Sequence, residues 1–187
     1  MASCVVDPAT NLLHIFILII IMIGILVGFA GNYIQSNEDR TTNGNTTAFI
    51  GNILAMVGLV TLIPIIIAVN TKCSTSGTSS NVFYDFIVHP GPAIVTIIVI
   101  GYNAAINMLY KDLLLKHSIS TEYYRYSLLF SILLIVQFVF LGKYMSEYIS
   151  GIGSESIWQY VVYLLATVNF FLLSVMQIIL KFFSTDG

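Results

Sequence analysis

The sequence predicts an all-α protein: a polytopic integral membrane bundle of about five transmembrane helices. Three observations predict it. Of 187 residues, 57% are hydrophobic and only 9% are charged, against about 25% charged in an ordinary soluble domain. The mean hydropathy is +0.91. Apolar stretches close to the roughly 20 residues that cross a bilayer recur five times, separated by polar connections. Four spans, with one segment lying on the membrane surface, is the alternative count. The chain is a single membrane domain, with no room for a soluble domain of normal size beside the spans.

The first span covers 12–30, LLHIFILIIIMIGILVGFA, and carries no charge. Its rival reading is a secretory signal, since Gly28 and Ala30 supply the small residues of a cleavage site. No Lys or Arg precedes it, however, and the apolar stretch exceeds a signal core, so a retained helix is expected. After the polar connection GNYIQSNEDRTTNGNTT, the second span covers 48–69 with Pro64 inside it; neighbouring helices compensate the ladder bond a proline removes. The next loop ends in Phe83, Tyr84 and Phe86, aromatics suited to the membrane interface. The third span, 92–110, opens at Pro92, a favoured helix start, with one further turn expected through KDLLLK. The fourth covers 127–145 and the fifth 161–183. Tyr123, Tyr124 and Tyr126, then Tyr144 and Tyr148, then Trp158, Tyr160 and Tyr163 bracket these two as aromatic girdles do.

With five spans, Lys72 and Lys143 fall on one side and Arg40, Lys111, Lys116, Arg125 and Lys181 on the other, two against five. Positive charge favours the cytosolic side, so the C-terminus is expected in the cytosol and the N-terminus outside. The sequon Asn45-Thr46-Thr47 then lies on the side where glycosylation does not occur. Cys4 and Cys73 share the non-cytosolic face, where two readings stand open: a disulfide or two unpaired thiols. His14 and His89 fall near that same interface, but these four residues come from three separate segments, and nothing in their spacing demands a tetrahedral zinc site. An axial haem pair is no better supported. No metal and no cofactor is expected.

The net formal charge of −2, from seven Lys+Arg and nine Asp+Glu, leaves no basic surface for a phosphate backbone, which excludes nucleic acid as a partner. The nine acids, Asp7, Glu38, Asp39, Asp85, Asp112, Glu122, Glu147, Glu155 and Asp186, all fall in tails, loops or helix ends. No metalloprotease, serine-hydrolase or phosphate-loop motif occurs, and no general base lies within a span. The chain reads as a non-enzyme.

What the spans do carry is uncharged. Asn103 and Asn107 lie four residues apart on one helix face, Gln137 follows on span four, and Asn169 and Gln177 on span five. Amides in hydrocarbon usually bond across to another helix, each worth about 0.6 to 2 kcal/mol; the functional alternative is a polar track for an ion or small solute. Coupled transport normally needs a charged residue at mid-span, and none is present. The segment VIGYN at 99–103 is similar to a potassium-filter loop, but Val99 replaces its threonine, Asn103 replaces its last glycine, and it sits inside an uninterrupted apolar stretch. Small residues form stripes for close helix contact: Gly24 and Gly28 on span one, Gly51, Ala55 and Gly58 on span two, Gly101 and Ala105 on span three. Spans one to three are therefore expected to form a tight core, with the Phe-, Leu- and Ile-rich spans four and five facing lipid or partners.

The isoleucine-run helix HIFILIIIMIGIL, the Asn/Ser/Thr-rich connections such as SNEDRTTNGNTT and the near absence of catalytic side chains resemble, across the whole chain, the small multispanning virion membrane proteins of large double-stranded DNA viruses. That resemblance implies a structural or assembly subunit of the internal membrane beneath a capsid. Its partners would be the lipid bilayer and other membrane or capsid-type subunits, in a homo- or hetero-oligomer. Two other functions fit the residues: an accessory subunit of an organellar energy-converting complex, and a small oligomeric channel or facilitator working through the Asn103 and Asn107 face.

Overall fold

The computed structural model describes residues 8–35, 41–73, 90–115, 121–149 and 157–185. These residues form six helices: α1 (Pro8–Gln35), α2 (Thr41–Cys73), α3 (Gly91–Leu109), α4 (Lys111–Leu115), α5 (Thr121–Ile149) and α6 (Ile157–Thr185). Five are long and apolar enough to cross a membrane, over Leu12–Ile34, Asn43–Ile67, Gly91–Leu109, Tyr123–Glu147 and Ile157–Phe182. No strand occurs among the described residues. The protein is a multi-pass helical membrane bundle.

The helices of spans one, two, four and five run past the apolar segments that announce them. The polar flanks GNYIQ and TTNGNTT continue the backbone ladder, and the bundle buries Asn32 and Asn45 from them. Helix α3 opens as Pro92 suggests, with proline in the first turn and the Ile94 N–H donating to the Pro90 carbonyl at 2.9 Å. It ends at Tyr110, whose φ of −106° and ψ of 21° leave helical geometry. The KDLLL turn is thus a separate short helix and not a continuation. It starts with the Leu114 N–H on the Tyr110 carbonyl at 2.9 Å and turns Leu114 into the core. Pro64 sits on the exposed side of α2, which remains one helix.

The spans pack as a closed ring in the order α1, α2, α3, α6, α5, with α5 returning to α1. Neighbours are antiparallel except α3 and α6, which run together, as the pairing of Gly91 with Tyr163 and of Tyr102 with Gln177 requires. The small helix α4 packs on α2, α3 and α6. Apolar side chains fill the middle, among them Ile21, Leu59, Ile100, Phe130, Leu141 and Leu173. The outer faces, with Phe16, Ile19, Val57, Leu164 and Phe171 exposed, form an apolar surface that hydrocarbon solvates and water would not. Burial is distributed differently from the expected core of spans one to three. Helix α3 is the most buried and α1 and α6 the least, because the ring closes through α5 on α1 and α6 on α3.

Candidate functional site: a glycine seam and a buried amide core

The tightest contact lies between α1 and α2. A Cβ built on Gly24 would stand 2.5 Å from the Ala55 nitrogen, one on Gly31 2.2 Å from the Ala48 nitrogen, and one on Gly51 2.2 Å from the Gly28 nitrogen. Backbone therefore meets backbone along about two turns of an antiparallel pair. Gly24, Gly28, Gly51, Ala55 and Gly58 all lie buried on this seam, Gly58 against the Ile21 side chain. Gly31 and Ala48 belong to it as well, although both fall at the margin of the apolar segments. Only a small residue at the matching height on both helices reveals them. The stripe on α3 is different: Gly101 stands at ordinary distance from Met56, where a Cβ would lie 3.6 Å away, and Ala105 is exposed. Helix α3 packs through other residues because Ala105 is turned outward from the ring.

The interior of the ring carries the amides. The Asn169 Nδ2 donates to the Gln137 Oε1 at 2.7 Å, the Gln137 Nε2 donates to the Thr96 Oγ1 at 2.9 Å, and the Thr96 hydroxyl donates to the Pro92 carbonyl at 2.7 Å. All three side chains are buried. This relay ties α6 to α5 and lets α5 reach α3 across the ring. A second tie fastens α1 to α5: the Asn32 Nδ2 donates to the Ser131 Oγ at 2.7 Å, and that hydroxyl donates to the Ser127 carbonyl at 2.9 Å. The Tyr102 hydroxyl donates to the Gln177 Oε1, and its ring lies 5.0 Å from that of Phe170. Thr96, Asn32 and Ser131 complement the expected amides. A lone hydroxyl in an apolar segment gives little warning that an amide on another helix needs it.

Asn103 and Asn107 face inward within a single chain, 2% and 3% exposed. A pore along that face would run inside the bundle and not between copies. Among the described residues, neither Nδ2 finds an acceptor, nor does that of Asn52. A buried unmet donor costs about 1–3 kcal/mol. VIGYN lies within continuous α3, without the loop geometry a carbonyl filter requires.

At the opposite end of the membrane, Lys143 meets Glu147 at 3.3 Å, the Trp158 indole N–H donates to the same carboxylate oxygen at 2.8 Å, and Trp158 stacks on Phe140 at 5.4 Å between centroids. This latch joins the end of α5 to the start of α6. The girdle tyrosines Tyr123, Tyr124 and Tyr144 are buried among the helices, the first two edge to face at 5.5 Å. An open groove of about 270 Å³ lies between α3 and α6, lined by Val95, Val99, Tyr163, Ala166, Thr167 and Phe170.

His14 is buried on α1, and neither ring nitrogen has a hydrogen-bond partner among the described residues. Among the described residues no three His, Cys, Asp or Glu side chains gather as metal ligands. Cys4, His89, Phe83, Tyr84, Phe86 and the Cys73 side chain lie outside the described residues, and so does the Cys4–Cys73 pairing. No protein-family model, no curated protein and no solved structure matches this chain.

Proposed function

We propose that this protein is a structural or assembly subunit embedded in a membrane, whose work is done by helix packing. One observation carries the reading: no Asp, Glu, Lys or Arg is among the buried residues described, and the interior is held by amides, hydroxyls and a backbone-to-backbone glycine seam. Coupled transport and proton relays normally place a charge at that depth; a scaffold needs none. The apolar outer faces of α1 and α6 suit lipid or the helices of partner subunits. The resemblance in sequence style makes the internal membrane of a large DNA virus virion, beneath its capsid, the setting proposed. An accessory place in an organellar energy-converting complex has the same chemistry and differs in its companions.

The unpartnered amides of Asn52, Asn103 and Asn107 favour a second reading, a small channel or facilitator. Gentle detergent extraction from the native membrane, followed by native-mass determination and identification of what co-migrates, separates the readings. Recovery in a large defined assembly supports the subunit, and its companions name the compartment. Recovery as a small homo-oligomer that conducts in reconstituted bilayers refutes it.

A further inference from the structure

The register of α2 against α3 brings three buried amides to one height in the bundle. Gly101 stands opposite Met56 in an antiparallel pair. At 1.5 Å of rise per residue, Asn52 therefore lies at a height between Asn103 and Asn107, about 3 Å along the axis from each, with its Oδ1 beside Gly28 of α1. Asn45, seven residues before Asn52 and on nearly the same face of α2, lies about 10 Å further along the axis and outside this group. Asn52, Asn107 and Asn103 are all at least 95% buried, at 4%, 3% and 2% exposure.

Among the described residues, the Nδ2 donors of Asn52, Asn103 and Asn107 each lack an acceptor. In hydrocarbon no bulk solvent reaches such groups, and buried polar groups in folded proteins are almost always satisfied. A small anion would meet these donors but would bury a charge with no cation beside it, since no Lys or Arg is among the buried residues described. A neutral molecule that offers lone pairs meets all three without that cost. Water does this, and a buried water typically takes about three hydrogen bonds from otherwise unsatisfied groups.

We propose that Asn52, Asn103 and Asn107 form an internal hydration site between α2 and α3, holding bound water at membrane depth. The site is built into the single chain and does not depend on the subunit reading. Its water bridges two helices whose small-residue contact is loose at Gly101, where direct side-chain bonds between them are missing from these amides.

The test uses the full chain in phospholipid nanodiscs, labelled with 15N on asparagine alone, with each side-chain NH2 assigned by single Asn→Gln variants. Water-to-amide transfer is read on the unmodified protein, so no variant has to preserve the fold for the result to count. Transfer peaks at the NH2 groups of Asn52, Asn103 and Asn107 are expected. They should remain unshifted when chloride in the buffer is replaced by gluconate. In Asn107→Leu the Asn52 peak should weaken at least two-fold while the Asn32 NH2, held by Ser131, keeps its signal. Silence at all three groups overturns the proposal, as do amide shifts that follow the chloride concentration, which would assign the donors to an anion.

Discussion

The α1–α2 seam makes a prediction that distinguishes two glycines facing each other. A methyl group added in Gly51→Ala would lie 2.2 Å from the Gly28 nitrogen, 2.6 Å from the Gly24 oxygen and 2.7 Å from the Gly28 Cα, all backbone atoms. No rotamer relieves such a clash. The helices must separate by about 1 Å or more before the methyl reaches ordinary contact, and that opens the Gly24–Ala55 and Gly31–Ala48 approaches on either side. Overpacking of this kind costs about 1–3 kcal/mol, and the upper end is expected because the obstacle is main chain. The reciprocal change Gly28→Ala meets only the Asn52 side-chain oxygen at 3.4 Å and nothing else nearer than 3.9 Å. It should alter stability by less than about 0.5 kcal/mol. A gap of about 2 kcal/mol is roughly thirty-fold in the folded-to-unfolded ratio. Equilibrium unfolding in mixed micelles of mild detergent and dodecyl sulfate, followed by far-ultraviolet circular dichroism, resolves it. Gly142→Ala, where a Cβ would meet nothing within 4 Å, serves as the control for helix propensity. Equal losses for Gly28→Ala and Gly51→Ala would refute the backbone-to-backbone seam.

Three further outcomes are expected. Gln137→Leu removes the bonds to Thr96 and Asn169 and should lower stability by about 1–3 kcal/mol, at roughly 0.6–1.7 kcal/mol for each interhelical bond; a loss under 0.5 kcal/mol in the same micelle titration would show the relay to be idle. Glu147→Ala should red-shift the emission of Trp158, the single tryptophan of the chain, by releasing its indole N–H. Lys143→Ala, which loses only a half-exposed ion pair, should leave both emission and stability nearly unchanged, and an equal response from the two variants contradicts the latch. With Cys4 and Cys73 replaced by serine, Lys116→Cys should react with an impermeant thiol reagent only after the cytosolic face is opened; reaction in intact cells reverses the charge-based orientation.

Span count and class were legible because they rest on sums. Eighteen or more apolar residues without charge have one stable placement, and the order of the residues inside them hardly matters. Partner choice was not legible, since each helix has several apolar faces and the hydrophobic effect does not distinguish them in lipid. Gly51 and Gly101 illustrate the difference. Both are small residues one helical turn from an alanine, yet Gly51 touches the backbone of α1 and Gly101 meets only the flexible end of Met56. A stripe states that a close approach is available, and only the facing helix decides whether it is taken.

The amides show the same division from the other side. Asn169, Gln137 and Gln177 found partners on other helices, as hydrogen bonding in hydrocarbon demands. Asn32 and Asn45 were hidden by their setting, in polar stretches that read as loop until the helices extend through them. Asn52 stands inside an apolar span, so its residue type alone was the signal. It joins Asn103 and Asn107 as a donor with no acceptor among the described residues. A bundle kept together solely by packing would gain by replacing these three with leucine, because each unmet amide opposes folding. In the proposed site the acceptor comes from outside the polypeptide, and the water-transfer measurement at Asn52, Asn103 and Asn107 decides whether that acceptor is water.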